Sequence, residues 1–290
     1  YCQGVIEKRS TLPILSNILI SAHNSKLILT ATDLDLIFIH YINNIEIVQE
    51  GKTTTTSSIM YDIVRKISSG KKINLTLNDK NKLHLESDKS IFNLNCISHS
   101  EFPATDENFN HNEFSIKSKQ LLKLLNKCKF SVSNDETRHY LSGIYLHQTE
   151  VDEKKYLTAV ATDSHRMSIS KIRLEKNVDF EPIILPKKTI FQLCNILDNY
   201  DGDVKISNMR SKIKFELSNS ILISKLIDGK FPNYIQVIPK NNQKKLEIDL
   251  KLFLNSVDRV ASVSLDKKDG VKFNLSKDTL NLSVNNTNSG

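Results

Sequence analysis

The run Asp163-Ser164-His165-Arg166 places a carboxylate, a hydroxyl, an imidazole and a guanidinium side by side. By type these are the groups of nucleophilic acyl transfer, with Ser164 as nucleophile and His165 as base. By spacing they are not. Adjacent residues on a strand or turn point in different directions, and triads converge from separate parts of a fold. A hydrolase is one reading of this run; a structural or partner-binding turn is the reading its spacing favours. Elsewhere there is no P-loop, HExxH, GxSxG or glycine-rich dinucleotide turn, and the histidines lack metal-ligand spacing. None of the four cysteines, Cys2, Cys96, Cys128 and Cys194, forms a CxxC pair. Cys128 and Cys194 fall in apolar helical stripes, as small buried residues in a reducing, cytoplasmic compartment would. No catalytic residue, metal or cofactor is expected.

A second chemistry is charge. The net charge of +7 suits a polyanionic partner, although an abundance of Lys, Asn, Ile and Ser also follows from AT-rich coding. Placement discriminates better than the total. Lys119, Lys123 and Lys127 recur every four residues, on one face of a helical stretch that no acidic residue interrupts. Lys251, Asn255 and Arg259 repeat that spacing, diluted by Asp249 and Asp258. Arg65 and Lys66 end another helical stretch, and Lys187 and Lys188 begin its counterpart. One such stripe is an ordinary solvated face. Successive basic helices suit duplex DNA, which carries one charge per roughly 1.7 Å of axis, bound through phosphates without base reading.

The elements that would position these residues occur more than once. Ala31-Thr32-Asp33 returns as Ala161-Thr162-Asp163, and Phe102-Pro103 as Phe231-Pro232. Ile63, Val64 and Ile67 answer to Leu193, Cys194 and Leu197, while Leu83, Leu85 and Ile91 answer to Ile213, Phe215 and Ile221. The pattern is α+β: in each copy a helix, a hairpin, a second helix and alternating strands. The stripe Leu121, Leu122, Leu125 and Cys128 predicts a helix over 117–129. Ser57 or Ser58 is the expected cap of a helix over 59–67, and Pro186 the first-turn residue of its counterpart. The hairpin offset grows from Asn17/Gly143 to Thr30/Val160, which a longer acidic turn at 150–153 would explain. A third copy opens with Leu250, Phe253, Leu254 and Val257, and Gly270-Val271-Lys272-Phe273 matches Gly143-Ile144-Tyr145-Leu146.

The copies are expected at 1–112 with its N-terminal part missing, 113–243, and 244–290 with its C-terminal part missing. If the copies are equal in length, about 70–80 residues are absent from the third. No apolar run approaches the ~18 residues of a membrane span, and no secretory signal is visible.

In order along the chain, Thr11-Leu12-Pro13-Ile14-Leu15, Ala31-Thr32-Asp33-Leu34, Ala161-Thr162-Asp163-Ser164-His165-Arg166, Asp228-Gly229-Lys230-Phe231-Pro232-Asn233-Tyr234 and Ile238-Pro239 resemble the bacterial DNA polymerase III beta subunit, the sliding clamp. The resemblance implies the DNA clamp fold, with tandem copies forming an arc of a ring and the third copy truncated here. It implies a non-catalytic processivity factor in DNA replication. As a ring-shaped homodimer when full length, it would encircle double-stranded DNA and tether the DNA polymerase III catalytic subunit. The clamp loader and other proteins with clamp-binding motifs would be further partners, with no membrane.

By the same resemblance Arg9, Arg65, Arg138, His139 and Tyr140 join the lysines 119, 123, 127, 187 and 188 as DNA contacts. Asp135 falls where a neutral polar contact is usual. Leu141, Thr162, His165, Arg166, Met167, Pro232 and Val237 match the wall of a pocket for partner peptides, which in this fragment would be incomplete. Ser164 replaces a common glycine there, Gln236 a cation and Lys268 an aromatic. The runner-up is a sequence-independent DNA-binding repeat protein that does not encircle DNA.

Overall fold

A computed structural model describes residues 1–7, 11–104, 113–175, 178, 180–209, 211–264 and 270–284. Arg9 and Lys268, singled out above, lie outside them. Tyr1–Pro232 and Asn233–Gly290 are separate compact units. The first holds two copies. Copy one contains α1 (Cys2–Val5), β1 (Asn17–His23), β2 (Lys26–Thr32), β3 (Leu36–Ile42), β4 (Gly51–Thr56), α2 (Ser57–Val64), β5 (Asn74–Leu77), β6 (Lys82–Ser87) and β7 (Ser90–Ile97). Copy two contains β8 (Glu113–Lys117), α3 (Ser118–Asn126), β9 (Gly143–Val151), β10 (Lys154–Thr162), β11 (Met167–Arg173), β12 (Ile183–Pro186), α4 (Lys187–Asp198), β13 (Asp203–Asn208), β14 (Lys212–Leu217) and β15 (Ser220–Lys225).

The order β11-β10-β9-β12 repeats the order β3-β2-β1-β4. All these pairings are antiparallel. Where the copies meet, β3 pairs with β15 from Ser220↔His40 to Ser224↔Leu36. That ladder joins them into one eleven-stranded sheet, β5-β6-β7-β4-β1-β2-β3-β15-β14-β13-β8. One apolar cluster crosses the same boundary, placing Val5, Leu36 and Phe38 of copy one with Leu193, Phe215 and Leu222 of copy two.

The offset between the hairpins has a different cause from a longer turn. Both turns have two residues, Asn24-Ser25 and Asp152-Glu153, all at positive φ between 49° and 59°. This is the handedness that matches strand twist in tight hairpins. The four extra residues are two in each strand: β1 and β2 have 7 residues, β9 and β10 have 9. An even insertion per strand leaves every side chain on its original face, whereas an odd one would turn the core face outward.

Helix boundaries also shift from expectation. Thr56 occupies the N-cap of α2 without a side-chain hydrogen bond, and Ser57 is its buried first residue, its hydroxyl donating to Gln3 Oε1 at 2.9 Å. Ile67 lies beyond the end of α2. Pro186 is the N-cap of α4 rather than a first-turn residue. In α3, Leu121, Leu124 and Leu125 are buried, so Leu124 rather than half-buried Leu122 completes the stripe. Cys128 and Cys194 are buried as expected, and burial pushes the Cys128 thiol up to about 12. Gly143 has no room for a side chain, since a Cβ there would stand 2.4 Å from the Leu185 carbonyl oxygen across the β9–β12 pair.

Both Phe-Pro anchors have the same packing role. Phe102 buries in a cluster with Ile14, Leu15 and Leu19. Phe231 stacks on Tyr145, ring centroids 4.9 Å apart. Leu19 and Tyr145 are equivalent hairpin positions at the offset of Asn17 and Gly143.

The second unit, taken alone, has a 3-10 turn (Tyr234–Val237), α5 (Leu250–Ala261) and an antiparallel pair, β16 (Lys272–Leu275) with β17 (Leu280–Ser283). Asp249 caps α5 by accepting from Leu252 N at 2.7 Å. No residue of α5 is buried.

The two second helices predict different costs of truncation. Leu193 in α4 is fully buried, while its repeat partner Ile63 in α2 is partly exposed. Leu193→Ala should destabilise the first unit by about 2–5 kcal/mol. Ile63→Ala should cost clearly less, both read from urea midpoints.

Candidate functional site

The repeated Ala-Thr-Asp motif is a backbone device. Thr32 Oγ1 accepts from Leu34 N at 3.0 Å, and Thr162 Oγ1 accepts from Ser164 N at 3.1 Å. Asp33 Oδ1 accepts from the N–H groups of Asp35 and Leu36, and Asp163 Oδ1 from those of His165 and Arg166. Each aspartate N–H also donates across the turn, to Leu36 O or Arg166 O. Leu34 and Ser164 sit at φ of 79° and 76°, a left-handed conformation that costs a side chain about 1–2 kcal/mol relative to glycine. Each turn launches the next strand, β3 or β11.

This geometry answers the acyl-transfer reading. The carboxylate of Asp163 accepts from two backbone N–H groups and from Arg166 Nε at 3.0 Å. Ser164 Oγ accepts from Arg138 Nη1 at 2.7 Å. The run is held as a turn, with the hydroxyl and the carboxylate engaged by other partners. Among the described residues no cluster of His, Cys, Asp or Glu could hold a metal ion.

Four peptide-wall candidates lie at the end of β10, in the turn and at the start of β11: Thr162, His165, Arg166 and Met167. Thr162 and Met167 are half-buried; His165 and Arg166 are exposed. Leu141 is buried at the end of a 3-10 segment, Glu136–Leu141, and Pro232 is exposed beside buried Phe231. Val237 is exposed in the second unit, as is Gln236. The structure adds Phe130, which is 57% exposed and lies under the Arg166 guanidinium at 5.6 Å. Its only signal in the sequence is an aromatic just past a helical stripe.

The DNA candidates divide into three groups. Lys119, Lys123 and Lys127 line one shallow depression with Leu122 and Asn126, on the solvent side of α3 and its C-cap. Lys119 pairs with Asp201 at 2.7 Å. Both side chains of that pair are exposed, so it holds the lysine loosely. Lys123 and Lys127 have no carboxylate partner among the described residues.

Arg138, His139 and Tyr140 form the second group, in the 3-10 segment. Asp135 caps it, accepting from Thr137 N and Oγ1 and from Arg138 Nε. The Thr137 hydroxyl, then Arg138, hold the Asp135 carboxyl below its ordinary range. His139 contacts the Asp228 carbonyl oxygen at 3.1 Å.

The third group is braced. Lys187 donates to Asn134 Oδ1, and Lys188 pairs with the Asp33 carboxylate and, at 3.8 Å, with Glu7. Lys188 therefore ties α4 to the copy-one turn. Arg65 caps the end of α2, pairs with Asp62 at 3.1 Å and lies 5.4 Å over the Tyr61 ring.

Two copies of one α+β domain sharing a sheet, followed by the opening of a third, define a tandem-domain scaffold. Comparison with known proteins supplies its lineage. Family profiles for the DNA polymerase III beta subunit match residues 1–106 (N-terminal domain), 115–233 (central domain) and 235–290 (C-terminal domain). The beta sliding clamp of Caulobacter vibrioides is 35% identical over 292 residues, covering 100% of this chain and 78% of the relative. That of Escherichia coli K12 is 31% identical over 283 residues, covering 98% and 76%. A crystal structure of the Caulobacter crescentus beta sliding clamp superposes with a TM-score of 0.93 at 35% identity, covering 99% of this chain and 77% of that one. The Bartonella birtlesii clamp bound to griselimycin gives 0.92 at 37%, covering 100% and 78%. The chain belongs to the DNA polymerase III beta subunit family, the beta sliding clamps.

The turn should titrate. Burial pushes the Asp163 carboxyl up, but the N–H groups of Arg166 and His165, then the Arg166 side chain, bring it below its ordinary 3.8. A depressed folded pKa contributes stability that is present above 3.8 and lost as pH falls through the folded value. Acid denaturation curves should therefore steepen below that pH, and Asp163→Asn should be less stable at neutral pH and flatter in acid.

Proposed function

We propose that this chain acts as a sliding clamp, a non-catalytic processivity factor that encircles duplex DNA and tethers the replicative polymerase. The observation that carries the reading is the tandem repeat itself, with copies sharing one sheet across β3 and β15. Rigid joints of this kind suit a ring segment, and a topological link needs no tight grip on DNA. Weak phosphate attraction then suffices, and sliding stays easy. Linkage also keeps a bound polymerase at high effective concentration near the primer end.

In this reading Lys119, Lys123 and Lys127, with Arg9, Arg65, Lys187, Lys188 and the Arg138–Tyr140 segment, face DNA phosphates. Leu141, Thr162, His165, Arg166, Met167 and Pro232 of the first unit receive short peptide motifs of the polymerase III catalytic subunit, the clamp loader and other clamp-binding proteins, and Val237 of the second unit is a further candidate contact. Two subunits close the ring head to tail, and the protein works in the cytoplasm. Among the described residues no helix is long and apolar enough to cross a membrane. Tight, salt-sensitive binding to DNA without encirclement is the competing function.

Two measurements separate them. Loaded by a clamp loader onto a nicked circular plasmid, the protein should co-elute with DNA in high salt and be released when the circle is cut; equal retention on linear DNA would reject encirclement. In direct DNA binding, Lys123→Glu with Lys127→Glu should flatten the slope of log affinity against log salt by about 0.9 per lysine lost.

A further inference from the structure

The joint between copies one and two contains a cavity of about 130 Å³. Its lining includes Ile37 and Ile223, which stand directly opposite each other in the β3–β15 ladder. Leu34 and Pro103 add further apolar surface. The cavity is partly open and smaller than the roughly 150 Å³ apolar cavity that accommodates benzene, so it suits one side chain no larger than leucine.

Its polar side is unbalanced. Lys212 and Lys225 both line the cavity, and they are direct cross-strand partners on β14 and β15. Like charges directly opposite each other destabilise a sheet. Asp35 accepts from Lys225 Nζ at 2.8 Å and answers one of the two charges. Lys212 has no carboxylate partner among the described residues. An incoming carboxylate at this position would relieve the repulsion.

The internal repeat bears on what fits. Thr32, Ile37 and Pro103 occupy in copy one the positions of Thr162, Met167 and Pro232 in copy two, on the same Asp-centred turn. Copy one thus carries a wall of the same pattern, and here it faces a strand pair of the next copy.

We propose that this joint is a second peptide-docking site, which takes one apolar side chain followed directly by an acidic residue. The apolar side chain fills the cavity against Ile37 and Ile223. The carboxylate pairs with Lys212, while Asp35 keeps Lys225. The site stands independently of DNA encirclement, and its reading as a peptide site rests in part on the proposed peptide role of the wall at Thr162–Met167.

The test uses the whole chain and the heptapeptide Gly-Ser-Gly-Leu-Asp-Gly-Ser, followed through isoleucine and methionine methyl resonances. Saturable shifts at Ile37 and Ile223 are expected, with Lys212→Glu weakening the peptide about tenfold and lysine in place of the peptide's aspartate doing the same. Thermal melting of Lys212→Glu checks that the fold is intact, and Lys212→Ala supplies a second, milder variant. Absence of shifts at Ile37 and Ile223, shifts at Met167 alone, or unchanged affinity in both Lys212 variants would overturn the proposal.

Discussion

Antiparallel pairing of β3 with β15 is the constraint on which the rest of the first unit depends. Without a neighbour, the outer edge of β3 would expose unpaired N–H and C=O groups, a standing invitation to aberrant strand addition. Pairing satisfies those groups and sets the register of one copy against the next. The shared apolar cluster then follows, because Leu36 and Phe38 on β3 are brought to Leu222 on β15 and to the helices behind it. The Lys188–Asp33 bridge lies at the same joint, linking α4 to the turn that launches β3.

That turn explains why the Ala-Thr-Asp sequence occurs twice. A strand that leaves a hairpin and re-enters a sheet must turn within a few residues, and its backbone N–H groups need acceptors. The threonine hydroxyl and the aspartate carboxylate supply three of them in each copy. The residues that follow are free to differ. Copy one continues into Asp35 at the inter-copy joint, copy two into His165 and Arg166 on an exposed surface. A shared scaffold thus carries divergent surfaces.

Family membership makes the protein a clamp, and its electrostatics fit that role. The lysines on α3 and its C-cap are exposed and only loosely held, which is consistent with the DNA contacts proposed for them. Lys188 is different in kind, since its partner Asp33 is nearly buried and the pair spans two copies.

What the sequence determined by itself is local. Apolar spacing of 3.6 and 2 residues identified α3, α4, α5 and most strands, because those periods are properties of the backbone. The recurring Thr-Asp and Phe-Pro pairs revealed the copies, because identical turns and anchors need identical residues. The peptide-wall and DNA candidates came from motif resemblance. Tertiary structure decided whatever depends on residues far apart in the chain. Asp201 reaches Lys119 across 82 positions, and Asp33 reaches Lys188 across 155. The hairpin insertion became two residues per strand rather than a longer turn, and because it is even it keeps every side chain on its original sheet face. Thr56 displaced the expected serine cap because Ser57 is drawn inward to Gln3. Local propensity weighs neighbours along the chain, whereas ladder pairing, burial and ion pairing weigh neighbours in space, and only the folded backbone specifies those.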